Sequence, residues 1–414
     1  MRNRTLILYL TGIGFVGFTV DGGIYAVIFN LFLLRLGYGP DFIGLINALG
    51  LLVFTLVSLP AGLLGARKGT RRMMRLGLLV MMVAAGLGPL AEFVPDAARA
   101  AWLIGVFIGL NLGLATFFVN APPYLMAATP ADGRERFFSR QVALWSMSAF
   151  AGSLAGGLIP GFIAPYLGVG LDSPAPFRYP LFLASIALLP GLLAVSALRD
   201  VSALPSPERE RVEETTPTPR RLLIILALVR MLQVGGIAAT VPFFNVYMDT
   251  ALHVPTAQIG LLTSLGRLLS APAALLTPVL TARLGASRTV FWSSLVNALA
   301  NLPMAFIPHP AIGGLSFIGV TSISSIRYAS YLAFSMSVVS ARARSTLSGV
   351  SEMASGVCFT LVSLIGGQMV ARYGFPPLFV MGTVISLLGT GLFWAAFMLK
   401  RPVATTPAEI ATSL

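Results

Sequence analysis

The chain has 414 residues, of which 56% are hydrophobic and only 10% are charged. Soluble domains carry about 25% charged residues, so this composition excludes a soluble enzyme, a nucleic-acid-binding domain and a disordered regulator. The net charge is +13, and almost all of the positively charged residues are arginines, because lysine occurs only at Lys68 and Lys400. What remains is an all-α protein that crosses a membrane many times.

Apolar segments of about 20 residues or more, long enough to cross a bilayer, recur along nearly the whole chain. The first imitates a secretory signal, but its apolar run exceeds the usual 7–15 residues or so and contains no cleavage site. It is therefore predicted to be the first of twelve membrane-spanning helices, here called spans 1 to 12. They lie at about 6–35, 41–64, 73–94, 99–127, 138–167, 177–198, 221–249, 256–281, 289–308, 311–339, 346–371 and 376–399.

The distribution of cations between the loops predicts the orientation. About 21 lysines and arginines fall on one side of the predicted spans and about four on the other, namely Arg35, Arg99, Arg178 and Arg372. Cytoplasmic loops are the ones enriched in cations, so both termini are predicted to be cytoplasmic in a multi-pass protein of the inner membrane. The surplus positive charge would face anionic lipid headgroups rather than nucleic acid.

A long polar segment divides the spans six and six, and the two halves resemble each other. The predicted parts are an N-terminal bundle (1–198), a cytoplasmic linker (199–220), a C-terminal bundle (221–400) and a cytoplasmic tail (401–414). Residues 43–72 match the sequence 216 positions later with about 12 identities in 30. Upstream, Gly22-Gly23 matches Gly235-Gly236 at a shift of 213. These matches predict two pseudo-symmetric six-helix bundles in parallel orientation.

The loop between spans 2 and 3 carries a local motif, a glycine followed by a basic turn that is repeated between spans 8 and 9. With the span count, the linker and the repeat, this motif resembles the major facilitator superfamily across the whole chain. The family's aspartate position is Ala66 here, which weakens or alters the charged gate. The alternative is a basic turn that only sets topology. The predicted gating residues are Gly62, Arg67, Gly69, Arg71, Arg72, Arg283, Gly285 and Arg288.

The resemblance implies a secondary transporter, not an enzyme, in which two bundles rock around a central site. Spans 1, 4, 7 and 10 would line the cavity, spans 2, 5, 8 and 11 would form the surface between the bundles, and spans 3, 6, 9 and 12 would face lipid. It also implies a small-molecule substrate, and protons are the predicted coupling ion. We expect a monomer without a cofactor.

Apart from charges within a few residues of the span ends, five charged residues lie inside the predicted spans, and none of these five is on spans 3, 6, 9 or 12. An unpaired charge at membrane depth costs at least about 2.5 kcal/mol, so such residues usually face a wet cavity or a partner. Arg327 and Arg267 are the favoured anion-binding residues, and Asp21 is the favoured proton site. The wider predictions are substrate binding by Arg327, Arg267, Arg230, Tyr331, Gln233, Asn111 and Tyr25, and proton coupling by Asp21 and Glu352.

Each charge also has a plainer interpretation. Asp21 could form a static salt bridge to one of the arginines, and Glu352 could form a gate ion pair with a neighbouring arginine. Arg230 could extend its side chain to the cytoplasmic surface. Two of the charges break the internal repeat, because Asp21 corresponds to Val234 and Arg267 to Leu51.

Other chemistry is poorly supported by the residues. A single cysteine, Cys358, and two histidines, His253 and His309, predict neither a disulfide framework nor a metal site. The glycine-rich face of span 5, at residues 152–161, indicates close helix packing more than an antiporter signature.

The favoured function is proton-coupled transport of a small organic anion or anionic amphiphile by alternating access. Two alternatives stay open: efflux of lipophilic cations attracted by Asp21, and a non-transporting membrane chaperone or receptor.

Overall fold

The computed structural model describes residues 2–128, 134–199, 219–339 and 341–399, and each of the twelve predicted spans is helical in it. Most of the predicted linker, from 200 to 218, and the tail at 401–414 lie outside the described residues. In chain order the helices are Arg2–Thr19, Ile24–Arg35, Pro40–Lys68, Thr70–Leu87, Gly88–Phe93, Asp96–Ala128, Arg134–Leu167, Ala175–Ser196, Arg220–Gln233, Gly235–Thr240, Phe244–Val246, Tyr247–Ala251, Thr256–Leu275, Thr277–Leu284, Ala286–Leu299, Leu302–Phe306, Pro310–Val338, Ala341–Tyr373 and Phe375–Phe397.

Nine helices in the described ranges are long and apolar enough to cross a membrane, or ten when the bent pair Thr256–Leu275 and Thr277–Leu284 is one span. Spans 9 and 10 fall outside this count for different reasons. Span 9 is interrupted between Ala286–Leu299 and Leu302–Phe306. Span 10 is a continuous helix of 29 residues, but serines and an arginine lower its hydropathy.

The packing of spans 1 to 6 recurs in spans 7 to 12. Span 1 packs against spans 5 and 6, and span 3 packs against spans 4 and 6. In the second half, span 7 packs against spans 11 and 12, and span 9 packs against spans 10 and 12. Adding six to each span number converts the first set into the second, which confirms the two pseudo-symmetric bundles.

The first span of each half is interrupted at or beside the repeated double glycine, over residues 20–23 in span 1 and at Val234 alone in span 7. Span 1 stops at Thr19 and resumes at Ile24, and span 7 stops at Gln233 and resumes at Gly235. Backbone groups freed inside a membrane need protein partners. Ser153 of span 5 donates to the Gly22 carbonyl (2.5 Å), and the Gly236 amide donates to a serine hydroxyl of span 12, that of Ser386 (2.8 Å).

The loops predicted to gate the protein have the same backbone in both halves. Gly69 and Gly285 end their helices with φ of 95° and 83°, which only glycine adopts readily. Each donates to the residue four before it, Gly65 and Thr281, at 2.9 Å. The repeat seen at a shift of 216 is therefore a repeat of structure.

Prolines disturb span 8 as its sequence predicts. Its two helices meet at an angle of 43° at Leu276, between Pro272 and Pro278. Proline lacks the amide that would continue the helical hydrogen bonds, so the bend lies where two such bonds are lost.

The chain folds into two compact units that differ from the predicted six-and-six division. Unit 1 comprises Met1–Ser206 and Asn245–Leu268, and unit 2 comprises Pro207–Phe244 and Leu269–Leu414. Spans 7 and 8 thus each contribute to both units. The bundle boundaries drawn from the sequence stay a prediction.

Candidate substrate and coupling site

Two buried arginines of unit 2 have unsatisfied hydrogen-bond donors. Arg230 on span 7 is 7% exposed and Arg327 on span 10 is 2% exposed. The Nε and Nη1 atoms of both side chains are buried without a hydrogen-bond partner among the described residues. Buried charged donors without partners are costly, so four such nitrogens indicate a place where an acceptor belongs.

Aromatic side chains of span 10 hold Arg230. Its guanidinium carbon lies 4.7 Å from the centre of the Tyr328 ring and 5.9 Å from that of Tyr331, within the range of cation–π attraction. The Tyr331 hydroxyl donates to the Leu226 carbonyl of span 7 at 2.7 Å. These contacts fix spans 7 and 10 against each other at the depth of Arg230.

One acid belongs to this group, and it is weakly held. A carboxylate oxygen of Glu352 on span 11 lies 3.7 Å from Nη2 of Arg230, and the Glu352 side chain is 57% exposed. The Tyr328 hydroxyl donates to Glu352 at 3.4 Å. Arg230, Arg327, Glu352, Tyr328 and Tyr331 are called the arginine cluster below; its formal charge is +1. The predicted residue Gln233, three positions after Arg230 on span 7, is also buried, at 1% exposure. Tyr328 was missed in the sequence, where its position beside Arg327 was the available signal.

The predicted residues Asp21 and Arg267 meet in unit 1 at the break of span 1. The Asp21 carboxyl is attracted by the Arg267 guanidinium. A Cβ atom on Gly22 would come within 2.9 Å of Nε of Arg267, so the arginine lies directly against the broken backbone. We call Asp21, Gly22 and Arg267 the break cluster. It contains one charge of each sign, but the Nε atom of Arg267 is buried without a hydrogen-bond partner among the described residues. The static salt bridge of Asp21 stays a prediction.

Two further predicted substrate residues are bonded to backbone within unit 1. The Tyr25 hydroxyl donates to the Ala85 carbonyl of span 3 at 2.5 Å, and the residue is buried. The Asn111 amide donates to Phe107, one turn earlier on its own helix, at 2.9 Å. Because the side chains of Tyr25 and Asn111 already have hydrogen-bond partners, they are less available to a substrate than the unpartnered donors of the arginine cluster. The role of the two residues in binding stays a prediction.

The predicted gating residues divide into packed and exposed ones. A Cβ on Gly62 would come within 3.1 Å of Val119 on span 4, so span 2 approaches span 4 closely there. Arg71 donates to the Ser196 carbonyl at the end of span 6, at 2.6 Å. The other basic residues of the two loops, Arg67, Arg72, Arg283 and Arg288, are exposed.

An ion pair that the sequence did not indicate joins the end of span 1 to the end of span 7 within unit 1. Arg35 makes two hydrogen bonds to the Asp249 carboxylate, at 2.7 and 2.5 Å, and a third to the Leu171 carbonyl at 2.7 Å. The Phe177 ring lies 5.4 Å from the guanidinium carbon. Both charged side chains are mostly buried, so this is a strong, geometrically defined pair.

The glycine-rich face of span 5 packs closely, as predicted. A Cβ on Gly152 would overlap the Phe18 carbonyl, and one on Gly157 would lie 2.6 Å from the Cα of Gly260 on span 8.

The single cysteine, Cys358 on span 11, is buried with a free thiol. Within the described ranges, no group of three or more His, Cys, Asp or Glu side chains is arranged to hold a metal ion.

Twelve helices in two pseudo-symmetric bundles, with ionisable side chains buried in both halves, define a secondary transporter of the membrane. A family model described as Major Facilitator Superfamily matches residues 11–356 and 226–412. The chain belongs to this superfamily, whose members are transporters rather than enzymes.

Solved structures share the fold at low sequence identity. The chain is 13% identical to the nucleoside transporter NupG, solved as a mutant, with a TM-score of 0.75 and coverage of 96% of this chain and 99% of that one. It is 14% identical to the xylose transporter XylE from E. coli in an inward open conformation (TM-score 0.71; coverage 99% and 98%). A bacterial homologue of the lysosomal transporter Spinster, inward-facing and unoccupied, is 13% identical (TM-score 0.72; coverage 95% and 96%). No curated protein sequence matches the chain.

Proposed function

We propose that this transporter moves a small organic anion across the inner membrane by alternating access, coupled to protons. The observation that carries the proposal is the pair of buried arginines, Arg230 and Arg327, whose four unsatisfied nitrogens face no stronger counter-charge than one half-exposed glutamate. A carboxylate or another small anion supplies the acceptors that these donors lack, in the charge-assisted bonds that arginine makes best.

The weak contact between Glu352 and Arg230 suggests how protons enter the cycle. When Glu352 is ionised it competes with the substrate for Arg230, and when it is protonated it releases the arginine. The proton and the anion would then bind together, because each favours the state that the other needs. Asp21 is the second candidate for a coupling proton, although Arg267 places a cation against the neighbouring Gly22.

The position of Arg267 weighs against efflux of lipophilic cations. That alternative needs a negative charge at Asp21 with no cation beside it, and Arg267 lies against Gly22, the next residue. A non-transporting chaperone or receptor has no observation in its favour.

We retain the predicted topology, with both termini cytoplasmic, and a monomeric state. In alternating access between the predicted bundles, the pair of Arg35 and Asp249 must separate in each cycle.

Uptake into proteoliposomes under an imposed proton gradient tests the proposal, with radiolabelled carboxylates, lipophilic cations and a neutral sugar as candidate solutes. We expect a carboxylate to be transported and Arg327→Ala to reduce its transport at least about 100-fold, since two charge-assisted bonds are lost. Arg327→Lys should retain part of the activity. The matched control is Arg372→Ala, which removes an exposed arginine from the end of span 11.

Undiminished carboxylate transport by Arg327→Ala, in protein whose melting temperature equals that of the wild type, contradicts the anion site. Transport of cations alone contradicts the substrate class and restores the efflux alternative.

A further inference from the structure

Gln233 is the least explained side chain beside the arginine cluster. It lies on span 7, is 1% exposed, and has neither a partner for its amide nitrogen nor one for its amide oxygen among the described residues. Leaving a buried donor and a buried acceptor unsatisfied costs about 1–3 kcal/mol for each group. A glutamine that served only to pack the helix would be replaced by leucine or methionine without that penalty.

The helix register places Gln233 at the arginines. Spans 7 and 10 are antiparallel in the fold, and the hydrogen bond between Tyr331 and Leu226 fixes their alignment. One turn along span 7, Arg230 lies over the ring of Tyr328. The next turn brings Gln233 to the level of Ser324 and Arg327 on span 10. The backbone of Gln233 is therefore about one helical turn, or about 5 Å along the axis, from that of Arg230, and the two side chains start from the same face of span 7.

A glutamine amide presents a donating NH2 group and an accepting oxygen side by side, and this pairing favours a neutral ligand group that both accepts and donates. A carboxylate would satisfy the nitrogen but be repelled by the oxygen. An ammonium group would satisfy the oxygen but be repelled by Arg230 and Arg327. A hydroxyl group is neutral, accepts from Nε2 and donates to Oε1, and so satisfies both amide atoms at once.

We propose that the substrate is a hydroxylated carboxylate, with its carboxylate bound by Arg230 and Arg327 and its hydroxyl bound by Gln233. This inference rests on the proposed function and adds the substrate class. Gln233 then determines specificity, while the arginines supply most of the affinity.

Matched pairs of acids that differ by one hydroxyl group test the inference: lactate against propionate, 3-hydroxybutyrate against butyrate, and malate against succinate. Binding to the detergent-purified full chain is measured by calorimetry. We expect the hydroxylated member of at least one pair to bind about 10-fold more tightly in the wild type. In Gln233→Leu the hydroxylated member should fall to the affinity of the plain acid, whose own affinity stays unchanged.

Gln141→Leu is the matched control, because Gln141 is a glutamine in span 5 that already accepts a hydrogen bond from Tyr9 at 2.9 Å. It should leave the preference for the hydroxyl group intact. A second measurement separates specificity from structure. Without ligand, Gln233→Leu should melt at the wild-type temperature or higher, because an unsatisfied buried amide is removed.

Equal affinity for both members of every pair in the wild type overturns the inference while leaving the anion site in place. Equal weakening of both members by Gln233→Leu, or a clear drop in its melting temperature, assigns Gln233 a structural role and also overturns it. If no carboxylate binds to the wild type, the proposed function and the substrate class fail together.

Discussion

The break cluster and the arginine cluster are both groups of membrane-embedded charges, yet their charge balance differs. In the break cluster, Asp21 and Arg267 oppose each other at the interruption of span 1. In the arginine cluster, two arginines share one glutamate that is more than half exposed. A cluster whose charges cancel can hold a fold together, whereas a cluster with a surplus is complete only when something else binds.

The backbone repeat sharpens this contrast. Both first spans carry the same double glycine, but the residue before the glycines is Asp21 in one half and Val234 in the other. Gly22 has a φ of 82° within a gap of four residues, whereas Gly235 and Gly236 are helical and follow a single non-helical residue. The wider interruption therefore lies where the charge is.

Neutralising one arginine in each cluster gives the largest expected effects. Arg230→Gln should weaken carboxylate binding at least about 10-fold, because a charged donor to the substrate is lost. Arg267→Gln should leave this affinity within about 3-fold but lower the melting temperature, because Asp21 loses its counter-charge. Calorimetry and thermal unfolding of the two variants check these outcomes.

The double variant of Asp21→Asn with Arg267→Gln is the control for this comparison. It should recover most of the stability that the single variant loses, since no uncompensated charge remains. If Arg267→Gln weakens binding as much as Arg230→Gln, the two clusters serve one substrate, as the sequence had suggested for Arg267 and Arg327.

A smaller effect is expected from Glu352→Gln. Glu352→Gln should bind the anion about 2- to 5-fold more tightly than the wild type, because it removes a partly exposed ion pair, worth up to about 1 kcal/mol, that competes for Arg230. Calorimetry of the two proteins at the same pH measures the difference. Glu92→Gln removes a glutamate paired with Arg178 at 3.2 Å, and it should keep the wild-type affinity.

Should Glu352→Gln bind no more tightly than the wild type, Glu352 does not compete for Arg230 and the coupling proton is carried elsewhere. Asp21→Asn is then the variant to measure, and the division between a structural and a functional cluster fails.

The smallest effect concerns the repeat itself. Gly69→Ala and Gly285→Ala should each lower the free energy of unfolding by about 1–2 kcal/mol, because both positions have positive φ and the added Cβ meets no other atom. Gly105→Ala on span 4 is the control, since it is equally uncrowded but helical, and it should not destabilise the protein. Unequal losses at Gly69 and Gly285, beyond experimental error, would mean that the two loops are not equivalent.

Hydropathy and internal matching predicted the features that depend on local sequence. Ten of the twelve spans follow from apolar length when the bent pair of span 8 is one span, and the loops at Gly69 and Gly285 follow from a motif found twice. The bend of span 8 could also be predicted from the sequence, because a proline disturbs the helix in which it lies.

Features that depend on residues distant in the chain could not be predicted from the sequence. Arg35 and Asp249 are 214 positions apart, and no local sequence pattern around either residue indicates that they pair. The break of span 1 is stabilised by Ser153, which belongs to span 5. The five membrane charges were found from their cost, but pairing Asp21 with Arg267 and Glu352 with Arg230 required the folded arrangement.

The buried thiol of Cys358 has a practical consequence for following the transport cycle. It is the only cysteine in the chain, and at 4% exposure it is shielded from aqueous maleimides. Tyr166 and Tyr373 are 91% and 72% exposed, so a cysteine introduced at either position would react with a maleimide far more readily than Cys358. With Cys358→Ala the background becomes cysteine-free, so pairs of spin labels or fluorophores can report distances across the molecule as it works.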